Sequence, residues 1–213
     1  AIRTINEVRR NNPKSPKRIL DENRAAFKRL RESGVVEVHD NTSDSQMQRY
    51  VQLQDLGELT ARVWMRPHIP SAQDFVERGI KQGTHPVTGE VDNYLRWGAF
   101  KGHIDGIMGN HSALFYEPYD DEPDNYGRYR NDTSDDPELK IGNMEKLYNN
   151  IKIAYEGGFA VNVHAIGTKG TALMLDTYER LMQDIGKDLR GYRVIHNQVV
   201  RPQDFPRFKQ LNV

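Results

Sequence analysis

A parallel α/β fold assembled from repeating strand–helix units is what the sequence predicts, and three observations carry the prediction. Apolar residues recur with two alternating periods, one near 3.6 residues and one of 2, so helices and strands succeed one another along the chain. Lys and His residues collect at the C-terminal ends of the predicted strands, where closed (β/α) barrels build their sites. No glycine-rich turn follows the first strand in "VVEVHDNTSD", although a dinucleotide-binding open sheet needs one. A βα series fits both an open doubly wound sheet and an eight-stranded barrel. The last two observations favour the barrel, but five strands cannot close one.

The elements follow in order. In "RILDENRAAFKRLRES" (18–33), Ile19, Leu20, Ala26, Phe27 and Leu30 form an apolar helical stripe that Gly34 stops. The β-branched strand "VVEVHD" (35–40) leads into "NTSD", a capping cluster for the helix "SQMQRYVQLQDLG". Further strands are expected at 60–68, 98–105, 159–166 and 192–198, with helices at "SAQDFVERGIKQ", "PELKIGNMEKLYNNIKIAYEGG", "TKGTALMLDTYERLMQDIGKDL" and "PQDFPRFKQLN". The acidic run "EPYDDEPDNYGRYRNDTSDDPE" lacks the spacing of an EF-hand and reads as a long solvated loop covering the strand ends. The 213 residues are read as one domain, 1–213.

Composition narrows the function classes. Thirty Lys plus Arg balance thirty Asp plus Glu, which removes the positive field of a nucleic-acid or anionic-membrane binder and leaves a small-molecule substrate as the expected partner, with a homo-oligomer open. The absence of cysteine excludes thiolate catalysis and Cys-ligated metals, so any metal must sit on N and O ligands. No apolar run is long enough to span a membrane, and "AIRTINEVRRNNPKSPKR" lacks the apolar core of a signal peptide. A soluble protein is expected, cytoplasmic or secreted.

Side chains alternate along a strand. Lys101, His103 and Asp105 therefore share a face in "FKGHIDG", as do Ala160, Asn162 and His164 in "AVNVHAIG" and Val194, His196 and Gln198 in "YRVIHNQ". Each His taken singly also fits a satisfied core residue, and Lys101 also fits a lysine paired with Asp105. His39 is expected at a helix-facing or rim position, and His68 and His85 in solvated loops.

The runs "GAFKGHIDGIMGNHSALFYEPYDDEPDNYG", "VHAIGTKGTALMLDTYE" and "YRVIHNQVVRPQDFPRFKQLNV" resemble, in order, three signatures of the metal-dependent amidohydrolase superfamily, in the branch of N-substituted formamide deformylases and exoenzyme-regulatory amidohydrolases. The resemblance covers most of the chain from Gly34 onward. It implies a (β/α)8 barrel of which this chain holds about strands 2 to 6 with their helices, without the terminal β-sandwich. It implies one or two divalent metal ions, zinc being the expected one, and a C–N bond (amide, cyclic amide or formamide) opened by metal-activated water. Carried over by position, Lys101 matches the lysine that can be carboxylated and bridge metals, and His164 and His196 match metal-ligand histidines. Asp105 and His111 fall in the "DGxxGxH" loop that lies by the substrate in relatives, and Arg193 matches a basic residue read as structural.

This chain departs from the pattern at Thr168, where relatives carry Asp, at Ile195, where they carry Glu, and at Ile107, where they carry a small polar residue. No His-x-His occurs among its seven histidines, and no counterpart of the eighth-strand Asp follows the sixth strand. The isolated chain is therefore expected to be inactive. The alternative is a non-catalytic binding or regulatory protein that retains the fold.

Overall fold

The computed structural model describes residues 11–186, 189 and 191–213. Six parallel strands are seen: β1 (Glu37–Asn41), β2 (Arg62–Arg66), β3 (Leu95–Trp97), β4 (Phe100–His103), β5 (Val161–Ala165) and β6 (Arg193–His196). They form two three-stranded sheets, β1-β2-β3 and β4-β5-β6, each in chain order. A parallel bridge from His68 to Lys101 joins the two, so the strands run as one series. They do not close into a barrel.

β3 and β4 are one strand interrupted by a bulge. Met65 pairs with Trp97 and His68 with Lys101, so three steps on one strand meet four on the other. The extra residue lies at Gly98–Ala99, opposite Pro67, which has no N–H to give the ladder. Its consequence reaches the site. Arg96, beside Trp64, faces away from the helices, and unbroken alternation would turn Phe100 the same way. The bulge resets the phase: Phe100 is fully buried in the core, and Lys101 and His103 take the other face.

The helices are α1 (Pro16–Glu32), α2 (Asp44–Asp55), α3 (Ala72–Glu77), α4 (Met144–Glu156), α5 (Thr168–Ile185) and α6 (Phe205–Leu211). Ser15, Ser43 and Asn143 cap α1, α2 and α4 through side-chain oxygens that accept backbone N–H groups. The helix expected from Pro137 starts only at Met144, because Asn143 provides its cap and the preceding residues wrap Asp136, whose carboxylate accepts three backbone amides. Gly186, with φ +62°, ends α5.

One continuous core lies between these helices and one face of the strands. Val63, Met65, Leu95, Trp97, Phe100, Val161 and Val163 meet Phe27, Leu53, Phe75, Ile151, Met174 and Tyr178 there. Burying each of the large side chains contributes about 1.5–3 kcal/mol. The opposite face is polar: by register Glu37, His39, Trp64, Arg96, Lys101, His103, Asn162, His164 and Arg193 lie along it. His39 is thus not helix-facing. Val38 and Asp40 take the helix side, and the His39 ring stacks on Trp64 at 5.4 Å.

Candidate metal and substrate site

At the C-terminal ends of β2, β4, β5 and β6 four imidazoles gather. Ring centres are 6.1 Å apart for His68 and His103, 5.4 Å for His103 and His164, and 4.6 Å for His164 and His196. His103 and His164 are direct neighbours in the register. His196 arrives differently. Its register partner is Ala165, which would send it to the helix side, but at φ +77° its backbone is left-handed, as is that of Asn197 at φ +52°. The strained end returns the ring to His164; such a conformation in a non-glycine residue persists only where its surroundings hold it. The Asn197 N–H donates to Ala165 O at 3.0 Å and the Thr171 hydroxyl to Asn197 Oδ1 at 3.2 Å.

His164 is 7% exposed. Burial, followed by the charges of Lys101, His196 and His103, lowers its pKa to about 4, against the contrary effect of a hydrogen bond donated to the Gly106 carbonyl, so the ring is neutral near pH 7. Its Nε2 lies 2.7 Å from Gly106 O. A carbonyl only accepts, so Nε2 carries the proton and Nδ1 keeps a free lone pair. His196 is exposed at the end of the last strand, and its pKa is lowered by partial desolvation and then by Lys101. Lys101 is buried, and its Nζ donates to Gly102 O at 2.7 Å. Burial and then the Arg66 charge bring its pKa down to about 7, against the opposing pull of Asp132 and Asp105.

Asp105 is 1% exposed and faces inward. Its carboxylate accepts backbone N–H groups of Leu114 at 3.0 Å, Ile166 at 3.1 Å and Gly167 at 2.9 Å, stitching the β4 loop to the start of α5. Burial raises its pKa despite these donors. Two glycines make this possible: a Cβ on Gly167 would lie 2.1 Å from Leu114 O, and one on Gly170 2.7 Å from Asp105 Oδ2. His111 turns toward the acidic loop, with Nδ1 2.9 Å from Glu122 Oε1 and Nε2 3.4 Å from Asp121 Oδ2, and borders a groove of about 700 Å³ with Tyr126, Arg128 and Lys140.

Of the residues the sequence singles out, the fold thus brings Lys101, His164 and His196 to one place, uses the Asp105 carboxylate on backbone amides and directs His111 at Asp121 and Glu122. His103 and Asp132 are equally part of the cluster: Asp132 Oδ2 accepts the His103 backbone N–H at 2.7 Å and lies 3.3 Å from its Nδ1. Strand alternation signals His103. Nothing in the sequence signals Asp132, which approaches from a loop.

Two imidazoles on one tetrahedral ion, with metal–nitrogen bonds of about 2.0–2.1 Å, hold their ring centres about 5 Å apart. The 4.6 Å and 5.4 Å separations bracket that value. Among the described residues, no three His, Asp or Glu side chains already converge as a complete metal-binding group. The residues therefore fit a partial ligand set.

The model of the amidohydrolase family matches residues 3–213. Protein LONG AFTER FAR-RED 3 of Arabidopsis thaliana is 37% identical over 123 residues, 58% of this chain and 19% of that protein. The putative amidohydrolase YtcJ of Bacillus subtilis (strain 168) is 34% identical over 107 residues, 50% of this chain and 18% of its own length. Crystal structures of metal-dependent hydrolases from Pyrococcus furiosus and Pyrococcus horikoshii superpose with TM-scores of 0.76 and 0.75 at 22% identity, over 98% of this chain and 39% and 38% of theirs. The chain spans about a fifth of the curated relatives and two fifths of the solved structures.

Proposed function

Because the chain belongs to the amidohydrolase family, we propose that it contributes part of the active centre of a metal-dependent hydrolase that opens a C–N bond of an amide, cyclic amide or formamide. The observation that carries this reading is the meeting of Lys101, His164 and His196 at adjacent strand ends, with His164 neutral and its Nδ1 lone pair free. A divalent ion held there, zinc by the chemistry of the donors, would polarise the substrate carbonyl and lower the pKa of a water toward 7. His164 and His196 would hold the ion. Lys101, poised near neutrality, can add its amine nitrogen to carbon dioxide with loss of a proton, giving a carbamate whose oxygens also ligate. Asp105 positions: by tying Leu114 and Gly167 together it fixes Gly106, whose carbonyl sets the His164 ring. We place His111 and its groove on the substrate side.

We read the strand series as an arc of a (β/α)8 barrel, about strands 2 to 6. Chain-order parallel strands, helices on one face and polar residues at the C-terminal strand ends support this. The formamide-deformylase-like branch rests on the "DGIMGNH" and "HAIG" motifs alone. A small-molecule substrate is the expected partner, and no helix among the described residues is long and apolar enough to cross a membrane.

The second reading is a non-catalytic protein on this fold. Thr168 and Ile195 at the ligand-bearing turns favour it, as does the incomplete ligand set. Metal analysis of the full-length protein with a panel of amides, cyclic amides and formamides separates the two. Stoichiometric zinc with hydrolysis of at least one class is expected; substoichiometric metal and an inert panel would establish the second.

A further inference from the structure

Four imidazoles line the strand ends; His164 is oriented by the Gly106 carbonyl, and one other ring has a carboxylate in the same role. Metal-binding histidines characteristically donate the ring N–H that faces away from the ion to a carboxylate or a carbonyl, which fixes tautomer and aim. His103 has this partner. Asp132, largely buried in a 3-10 turn (Asn131–Thr133), is anchored by the His103 backbone N–H at 2.7 Å and keeps the same oxygen 3.3 Å from Nδ1. In the neutral ring, a carboxylate in that position holds the proton on Nδ1 and leaves Nε2 as a lone pair. Among the described residues no hydrogen bond to that Nε2 is seen, and the side chain is 24% exposed on the polar face. The neighbouring ring is His164, 5.4 Å away, within the range for two imidazoles on one ion. The bulge at Gly98–Ala99 that faces Lys101 to this side carries His103 with it.

We propose that His103 is a further metal ligand of this chain, bound through Nε2, and that Asp132 is its positioning residue. The proposal rests on the metal-dependent reading above and adds to it a donor which that reading does not use. Three side chains do not converge before metal enters, so binding rotates the rings, tilted by 39° and 70° to their neighbours, into a common set.

Zinc affinity of the chain, measured by competition with a chromophoric chelator at constant pH, tests this across His103→Ala, Asp132→Asn, His164→Ala and the remote His85→Ala. Asp132→Asn keeps one oxygen as an acceptor for the His103 backbone N–H while removing the charge and replacing the second oxygen with an amide NH2. We expect His103→Ala to weaken zinc at least about tenfold, Asp132→Asn by about tenfold, and His85→Ala not at all. If His103→Ala binds as wild type does while His164→Ala has lost the metal, the proposal is overturned and the metal reading stands. A folded wild-type chain that takes up no zinc overturns both. Should His103→Ala fail to fold, nitrogen-15 NMR of the wild-type histidines decides: a proton on His103 Nδ1 and a zinc-induced shift of its Nε2 are expected, and an unmoved Nε2 refutes the assignment.

Discussion

Asp105 shows how much of this site is held by a residue that does not reach the cavity. Its oxygens accept three backbone amides, and the absence of a side chain at position 170 gives one of them its room. Gly170→Ala would drive a methyl to 2.7 Å from Asp105 Oδ2. We expect a loss of about 1–3 kcal/mol in urea unfolding, with reduced zinc affinity because the Gly106 carbonyl shifts against His164. An unchanged midpoint would show that the carboxylate moves freely. His111 gives a pH prediction. Its hydrogen bond to Glu122 raises its pKa, so the contact stabilises the loop fully below the ordinary histidine value and is lost as pH rises through the raised one. Amide protection factors in residues 119–125, corrected for the intrinsic rise of exchange with pH, should therefore fall as pH passes the raised value, and His111→Gln should remove that fall.

Among the elements, the bulged strand has the largest effect on function. Deleting Ala99 would set three steps against three, so that unbroken alternation would keep Phe100 in the helix layer and Lys101 and His103 on the polar face. We expect the deleted chain to retain a cooperative melt by circular dichroism; loss of cooperative folding would mean that the bulge does more than set the phase of the strand. Strands β5 and β6 are pinned by α5, where the fully buried Tyr178 hydroxyl lies 3.2 Å from Val161 O and 3.1 Å from Arg193 O. Tyr178→Phe should cost about 1–2 kcal/mol. The sequence made much of this legible: period-2 alternation located the five strand positions, and apolar stripes located α1, α2 and α5. It showed the third strand as an uninterrupted run because a one-residue bulge leaves no compositional mark. The face taken by His196 was equally hidden, since simple alternation does not register a left-handed residue at the strand end. Asp132 had no periodicity to betray it, being placed by the path of a long loop.

At the scale of the molecule, the contrast between faces organises everything else. Helices cover an apolar face, while the other face bears Trp64, Arg66, Arg96 and Asn162, each with a buried polar side-chain atom that lacks a hydrogen-bond partner among the described residues. Around the rim, Asp204 anchors α6 to the turn after β6. It is 1% exposed, and although burial raises its pKa, hydrogen bonds from Arg201 and Arg207 outweigh this and set it below the ordinary value. A depressed carboxylate contributes stability that is present above its unfolded pKa and is lost as pH falls through the folded one. Stability should decline below about pH 4. Asp204→Ala should cost about 1.5–3 kcal/mol at pH 7 by leaving Arg201 without its carboxylate, while Arg207 keeps Asp176 and Glu179, and should flatten that acid limb.

That the ends of β4, β5 and β6 form a single metal-binding centre is tested most directly by anomalous diffraction at the zinc edge from crystals of the zinc-loaded chain. A peak is expected about 2.1 Å from His164 Nδ1 and within reach of His196. A fully occupied peak at His111, Asp121 and Glu122 instead, or none beside His164 at stoichiometric zinc, would contradict it.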